Sequence, residues 1–254
     1  MIMLDLMPSL GIAVSLLESI ENPLWIQSEA FCNQHVSRSL DSLRPFLEDA
    51  DAAGPRYPYH IYDDIMMRTD QEWVKQSGLQ FSLTVLSPGV LHREWMKTAG
   101  HFHKPKLRLR HLPEIVEVVR GSGVMLLQLM RTPDRIGEIS AVSMERGDWM
   151  IVPPGYAHVS INTSSQPLVL THVRSREITL EYEEMARHRG AGYWLGPKGE
   201  RINVNYQEVP LLKHYLASEI FPRPFGNEGI YRVIRRRPHA FQFLWNPEIP
   251  VSFA

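Results

Sequence analysis

Short runs of apolar residues, separated by glycine and proline, fill the middle of this chain. The clearest runs are residues 115–119, 124–128 and 150–152, and residues 158–162 alternate between polar and apolar side chains. The breaks between them hold turn-forming residues, as at Pro153-Pro154-Gly155. Short apolar runs with turn residues between them are typical of strands in a sandwich or a small antiparallel barrel. The pattern therefore predicts a β domain between residues 57 and 182.

The segment before this domain, residues 1–56, has a mixed pattern. Its apolar spacing predicts a helix at 9–20 and a second at 37–53. Pro45 falls inside the second pattern, so that helix is expected to begin or kink there.

The segment after the domain predicts a hairpin at Lys198-Gly199, a helix at 211–220 and an edge strand at 231–237. We therefore expect three parts, listed here in chain order: an N-terminal, partly helical extension at 1–56, a central barrel at 57–188 and a C-terminal extension at 189–254.

Composition places the chain among ordinary globular proteins, with 254 residues, 44% hydrophobic and 22% charged. The formal net charge of −1 gives no electrostatic case for nucleic acid or a membrane as partner. The single cysteine, Cys32, excludes an internal disulfide and a thiolate-rich metal site. No basic segment precedes the apolar N-terminus, and no apolar run is long enough for a membrane helix. A cytoplasmic location is expected.

Three histidines and a glutamate have the spacing of a metal site. His101 and His103 are two residues apart, so on a strand they point to the same face. Glu114 begins one predicted strand and His158 begins another. Three nitrogens and one oxygen suit Fe(II), Mn(II), Ni(II) or Zn(II). Strand alternation sends Glu117 to the face opposite Glu114, so we interpret it as a structural or interface charge.

The same residues carry a resemblance to a known family. Gly100-His101-Phe102-His103, then residues 113–123, then residues 153–162 resemble the two sequence motifs of the cupin fold. The pattern T-x-G-H-x-H with PP-x-x-x-H more narrowly resembles the cupin-type phosphoglucose isomerases of archaea and some bacteria. The resemblance covers residues 57 to 182. It implies a mainly β fold, a cupin double-stranded β-helix or jelly-roll barrel with N-terminal helical and C-terminal extensions.

For function, the resemblance implies a metal-dependent isomerase that interconverts glucose 6-phosphate and fructose 6-phosphate through a cis-enediol. It implies one divalent metal per chain on His101, His103, Glu114 and His158, with Fe2+ or Mn2+ preferred over Zn2+ or Ni2+. Glu114 is then the candidate base, although a carboxylate held by a cation has a lowered proton affinity. A metal-assisted hydride shift is the other route.

The resemblance also implies that Thr84, Thr98 and Gly100 hold the substrate phosphate and that Tyr59 lies near the sugar. The chain departs from the family at two tyrosines, which fall on Val116 and Arg174. Arg174 is expected either to bind an anion in place of the lost contact or to be a solvated charge.

Two other classes of function stay open at this point. One is another cupin enzyme, either an Fe(II) dioxygenase or an epimerase or isomerase of a modified sugar. The other is a non-catalytic, metal-containing cupin that binds a sugar. The remaining histidines, His172 among them, are interpreted as structural or exposed. The apolar tail that includes Phe241 and Trp245 predicts a homodimer, with the tail packed on its own barrel or on the partner.

Overall fold

A computed structural model describes residues 3–19, 21–105, 111–221, 226, 228–246 and 248–249. In chain order the strands are β1 (Met3–Asp5), β2 (Val14–Leu17), β3 (Leu24–Ile26), β4 (Ala30–Arg38), β5 (Tyr59–Met67), β6 (Leu79–Leu86), β7 (Val90–Leu91), β8 (Glu94–Lys97), β9 (Phe102–Pro105), β10 (Glu114–Arg120), β11 (Ser122–Thr132), β12 (Arg135–Glu145), β13 (Trp149–Val152), β14 (Ala157–Asn162), β15 (Leu168–Ser175), β16 (Ile178–Glu181), β17 (Tyr193–Gly196), β18 (Gly199–Ile202) and β19 (Lys213–Leu216).

The helices are short: α1 (Met7–Leu10), α2 (Leu40–Leu43), α3 (Gln71–Ser77), α4 (Glu183–Arg187), α5 (Ala217–Ile220) and α6 (Ile230–Arg236), with 3-10 turns at Arg44–Phe46, Arg68–Asp70 and Pro238–Leu244. Within the described ranges, every helix is too short or too polar to cross a membrane.

Two six-stranded sheets form the barrel. Their strand orders are β13-β10-β15-β6-β5-β4 and β19-β12-β11-β14-β8-β7. The pairs are antiparallel except β12 with β19, which is parallel. Val116 and Val118 from the first sheet share one buried cluster with Met125 and Val159 from the second. The predicted mainly β cupin barrel is confirmed.

The first sheet is covered on its outer face as well. Ile115 and Val173 lie in a second buried cluster with Leu24 of β3 and with Ile230 and Phe241 of the C-terminal segment. Strands buried on both faces have continuous apolar runs rather than strict alternation, as residues 115–119 do. The described part of the tail thus packs on its own barrel, one of the two placements expected for it.

Several predictions for the flanking segments were wrong. Residues 9–20 hold the end of α1 and the strand β2, because Gly11 takes a left-handed φ of 85° and ends the helix. The helix α6 (Ile230–Arg236) replaces the edge strand predicted at 231–237. Its buried residues Ile230, Tyr231, Val233 and Ile234 have helical spacing, so the pattern was present but misread.

Other boundaries also differ from the predictions. The helix expected at 37–53 is only α2 with a 3-10 turn that contains Pro45. The segment 211–220 is β19 followed by α5. The barrel sheet begins at Ala30 in β4, not at residue 57, because β4 pairs with β5. The described part of the N-terminal extension therefore holds more strand than helix. The hairpin at Lys198-Gly199 is present between β17 and β18.

Candidate metal centre and substrate cavity

The four predicted ligands come together inside the barrel. His101, His103, Glu114 and His158 each offer one donor atom, and these atoms all lie within 4.8 Å of one another. Glu114 lies on β10 and His158 on β14 of the other sheet. His101 and His158 exchange two backbone hydrogen bonds, with N···O distances of 3.2 and 3.1 Å.

Gly100 allows this close approach. It has a φ of 75°, which glycine adopts without strain. A Cβ at this position would lie 2.5 Å from Val159 Cγ2 and 3.2 Å from the His158 carbonyl oxygen. A side chain at position 100 would therefore push His101 and His103 away from β14.

Among the described residues, the donor atoms have no hydrogen-bond partner outside their own cluster. The Nε2 atoms of His101, His103 and His158 and Oε2 of Glu114 are buried, and no hydrogen bond to another group satisfies them. Within the cluster, Glu114 Oε2 lies 2.8 Å from His103 Nε2 and 3.9 Å from His158 Nε2. Buried polar atoms nearly always have a partner, so atoms that converge in this way indicate a shared ligand. The set of three nitrogens and one oxygen fits a divalent metal ion.

Electrostatics favour the protonation states that metal binding requires. Burial lowers the pKa of His158 to about 3 and that of His101 well below its usual value. Burial alone would raise the pKa of Glu114, but His103 and His172 hold it well below the usual value. Near neutral pH, His101 and His158 are therefore uncharged imidazoles and Glu114 is an ionised carboxylate, the forms that bind metals.

His172 is a site residue that the sequence interpretation missed. Only 8% of it is exposed, and its Nδ1 lies 2.5 Å from Glu114 Oε1. It sits on β15 directly opposite Val116, where the family tyrosine was expected. The neighbouring strand therefore supplies a polar group at the position on the inner face where Val116 stands in place of the family tyrosine. The available sequence signal was its spacing from Arg174, since residues two apart share a face.

A cavity of about 200 Å³ lies beside the four converging residues. Its walls include every substrate contact predicted from the resemblance, namely Tyr59, Thr84, Thr98, Gly100 and Arg174. His101, His158 and His172 also line it, whereas Glu114 is fully buried behind them. Arg38 and Tyr182, which the sequence interpretation did not single out, complete the wall.

The cavity wall combines charged groups with hydroxyl groups. Arg174 pairs with Glu114 across β15 and β10, and its Nη2 is 3.9 Å from Asp63 Oδ1. Thr98 Oγ1 accepts a hydrogen bond from the Ser160 N–H at 3.0 Å, which leaves its own O–H free to donate. The Tyr59 hydroxyl accepts from the Ala99 N–H at 3.3 Å.

Comparison with known proteins settles the family. Residues 43–210 match the family model described as glucose-6-phosphate isomerase. The chain belongs to the glucose-6-phosphate isomerase family. The resemblance predicted from residues 57–182 is thereby confirmed.

Several glucose-6-phosphate isomerases are similar in sequence. The enzyme of Thermococcus onnurineus is 35% identical over 169 residues, which cover 66% of this chain and 82% of the relative. The enzyme of Thermococcus litoralis is 35% identical, and the match covers 59% of this chain and 74% of the relative. The enzyme of Pyrococcus abyssi is 34% identical over 44% of this chain. The chain spans 54%, about half, of the length of that relative. Among solved structures, an oxalate oxidase is 13% identical with a TM-score of 0.36, covering 50% of this chain and 55% of that one.

The residues that match the glucose-6-phosphate isomerase family do not include every residue of the cavity wall. Arg38 precedes residue 43, where the match begins. The match ends at residue 210, so the described tail residues from Ile230 onward also lie outside it. One wall of the cavity thus comes from a segment outside the matched region.

Proposed function

We propose that this chain is a metal-dependent aldose–ketose isomerase that interconverts glucose 6-phosphate and fructose 6-phosphate through a cis-enediol. The proposal rests on one observation above all. Four buried donor atoms without hydrogen-bond partners converge beside a cavity that is lined with hydroxyl groups and guanidinium groups. Membership of the glucose-6-phosphate isomerase family supports the choice of substrate.

The proposed cofactor is one divalent metal per chain, held by His101, His103, Glu114 and His158. Fe2+ or Mn2+ is preferred, with Zn2+ or Ni2+ as alternatives. When bound, the ion supplies Lewis-acid stabilisation of the negative charge that develops on the sugar oxygens. The protein contributes a dry, pre-formed set of donors, which keeps that stabilisation strong.

Glu114 is the proposed base for transfer of the proton from C2 to C1. Its low pKa opposes proton uptake, so a hydride shift between these carbons is the alternative route. His172 donates its Nδ1–H to Glu114 Oε1 and also lines the cavity, so it fixes the orientation of the carboxylate toward the substrate.

The substrate is proposed to lie along the cavity with its phosphate at Thr84, Thr98 and Gly100. Hydroxyl and backbone N–H donors suit a phosphate. Tyr59 also lines the cavity, and Arg174 lies near Asp63, where it can bind sugar oxygens.

The direct test of this function is a coupled assay of glucose 6-phosphate conversion. Turnover should disappear when a chelator removes the metal and return when Mn2+ or Fe2+ is added. Turnover that persists in metal-free protein would contradict the proposed role of the ion.

Replacement of His172 by alanine should lower kcat by about 10- to 100-fold at saturating metal, because the Glu114 carboxylate loses the group that orients it. His172→Asn keeps an N–H donor near the position of Nδ1 and should recover most of the rate. His214 also pairs with a glutamate, at 3.1 Å from Glu200, but on the surface, so His214→Ala is the matched control. Equal kcat values for His172→Ala and wild type would exclude the positioning role.

The homodimer and the cytoplasmic location also belong to this proposal. The tail no longer supports the dimer, because its described apolar residues are buried on their own barrel. The remaining support is that β4 and β19 each form one edge of a barrel sheet, which a second copy could cover.

A further inference from the structure

Arg38, the last residue of β4, places a guanidinium group in the cavity wall. Its Cζ lies 5.8 Å from the ring centroid of Tyr59 and 5.3 Å from that of Tyr182. A guanidinium within about 6 Å of an aromatic ring is attracted by the ring electrons. The two rings therefore hold this charge in a defined position.

Arg38 contacts the Tyr59 hydroxyl but forms no ion pair in the part of the chain that the structure describes. Its Nε is buried without a hydrogen-bond acceptor. The nearby carboxylate of Asp63 is already engaged, since its Oδ1 accepts from Ser82 Oγ at 2.5 Å and lies 3.9 Å from Arg174 Nη2. A partly buried cation without a paired anion costs free energy, so the arrangement indicates a negatively charged ligand.

Strand register places this cation on the part of the cavity wall that also holds the threonines. Arg38 pairs with Tyr59 across β4 and β5. The Tyr59 hydroxyl accepts from Ala99 N–H, between Thr98 and Gly100. Thr84 pairs with Ile61, the next residue along β5 that faces the same way as Tyr59.

The other arginine in the cavity starts from a backbone position distant from the threonines. Arg174 pairs with Glu114, whereas Thr84 pairs with Leu170, four residues earlier on the same strand. Near Tyr59, the cavity wall therefore combines a guanidinium that lacks an ion-pair partner with two hydroxyl groups. These are the donors that recognise a phosphate monoester.

We propose that Arg38 binds the phosphate of the sugar phosphate, together with Thr84 and Thr98, and so selects phosphorylated over unphosphorylated sugars. This inference rests on the proposed function and extends it to a specificity-determining residue. Family membership does not assign this role, because Arg38 lies before the matched residues 43–210.

The test is calorimetric titration of the metal-loaded protein with sorbitol 6-phosphate, a sugar-alcohol phosphate that an aldose–ketose isomerase cannot convert. Arg38→Met keeps the apolar stem and removes the charge, and it should weaken binding about 10- to 100-fold. Arg38→Lys should recover part of the loss. If Arg38→Met does not fold, Arg38→Gln takes its place and should weaken binding to the same extent.

Arg56→Met is the matched control. Arg56 is exposed and its Cζ lies 5.1 Å from the ring centroid of Tyr57, so it also stacks on a tyrosine but outside the cavity. This variant should bind sorbitol 6-phosphate within about twofold of wild type, since its charge does not reach the ligand. Binding of unphosphorylated sorbitol should be the same in wild type and Arg38→Met.

Wild-type affinity in Arg38→Met, or equal losses in Arg38→Met and Arg56→Met, would overturn the role of Arg38. Binding of glucuronate but not of sorbitol 6-phosphate would overturn the choice of phosphate. Arg38-dependent binding of sorbitol 6-phosphate without turnover of glucose 6-phosphate would support the phosphate site and count against the isomerase function alone.

Discussion

Replacement of His103 by alanine is expected to remove most of the bound metal and to lower isomerase turnover by about a thousandfold or more. The reason is geometric. The His103 side chain is 2% exposed, its Nε2 lies 2.8 Å from Glu114 Oε2, and it supplies one of the four donors of the cluster. Loss of one donor leaves three, and no other donor of the described residues lies in that group to replace it.

Metal content per chain, measured by elemental mass spectrometry after dialysis, checks this prediction. His101→Ala and His158→Ala should behave in the same way. His239→Ala is the matched control, because this histidine is exposed and does not line the cavity. Full metal content in two of the three ligand variants would show that the ligand assignment is wrong.

Glu117→Gln is expected to make the protein less sensitive to rising pH. Glu117 is 5% exposed on the outer face of β10, and it accepts a hydrogen bond from the Ile230 N–H, at the start of α6, at 3.0 Å. This placement confirms that it faces away from Glu114. Burial raises the pKa of its carboxyl from 4.5 to about 8. Glutamine keeps the shape and the acceptor but does not titrate.

The sign of the effect follows from the raised pKa. The folded protein keeps the Glu117 proton up to about pH 8, whereas the unfolded chain releases it near pH 4.5. The stability linked to this proton is complete below pH 4.5 and is lost as the pH rises to 8. A shift from 4.5 to about 8 corresponds to a loss of up to about 5 kcal/mol.

Urea unfolding of wild type and Glu117→Gln at pH 5 and pH 8.5 isolates this contribution, because all other titrating groups are common to both proteins. The stability of the variant relative to wild type should increase by several kcal/mol between the two pH values. Glu29→Gln, at an exposed glutamate, is the control and should show no such change. A difference that is independent of pH would contradict a buried, protonated Glu117.

The predictions from sequence succeeded where the relevant spacing is local. The alternation of His101 and His103, the run that begins at Glu114 and the turn before His158 are each contained in a few neighbouring residues. They were sufficient to predict the donor cluster and the β barrel around it. The prediction of a helix at 9–20 failed because apolar spacing alone did not reveal the left-handed turn at Gly11.

The missed site residues depend on contacts between strands that are distant in sequence. His172 contacts Glu114 only because β15 pairs with β10 in one particular register. Arg38 reaches the cavity because β4 joins the barrel sheet beside β5. Neither register can be read from residue spacing, since a shift of one residue would turn these side chains to the other face.

The central claim is the metal-dependent interconversion of glucose 6-phosphate and fructose 6-phosphate, and nuclear magnetic resonance tests it most directly. Metal-loaded protein is incubated with fructose 6-phosphate labelled with carbon-13 at C2, and the experiment is repeated from labelled glucose 6-phosphate. We predict that both reactions reach the same mixture of the two sugars, and that His103→Ala protein leaves both unchanged. Metal-loaded protein that converts neither sugar would contradict the account.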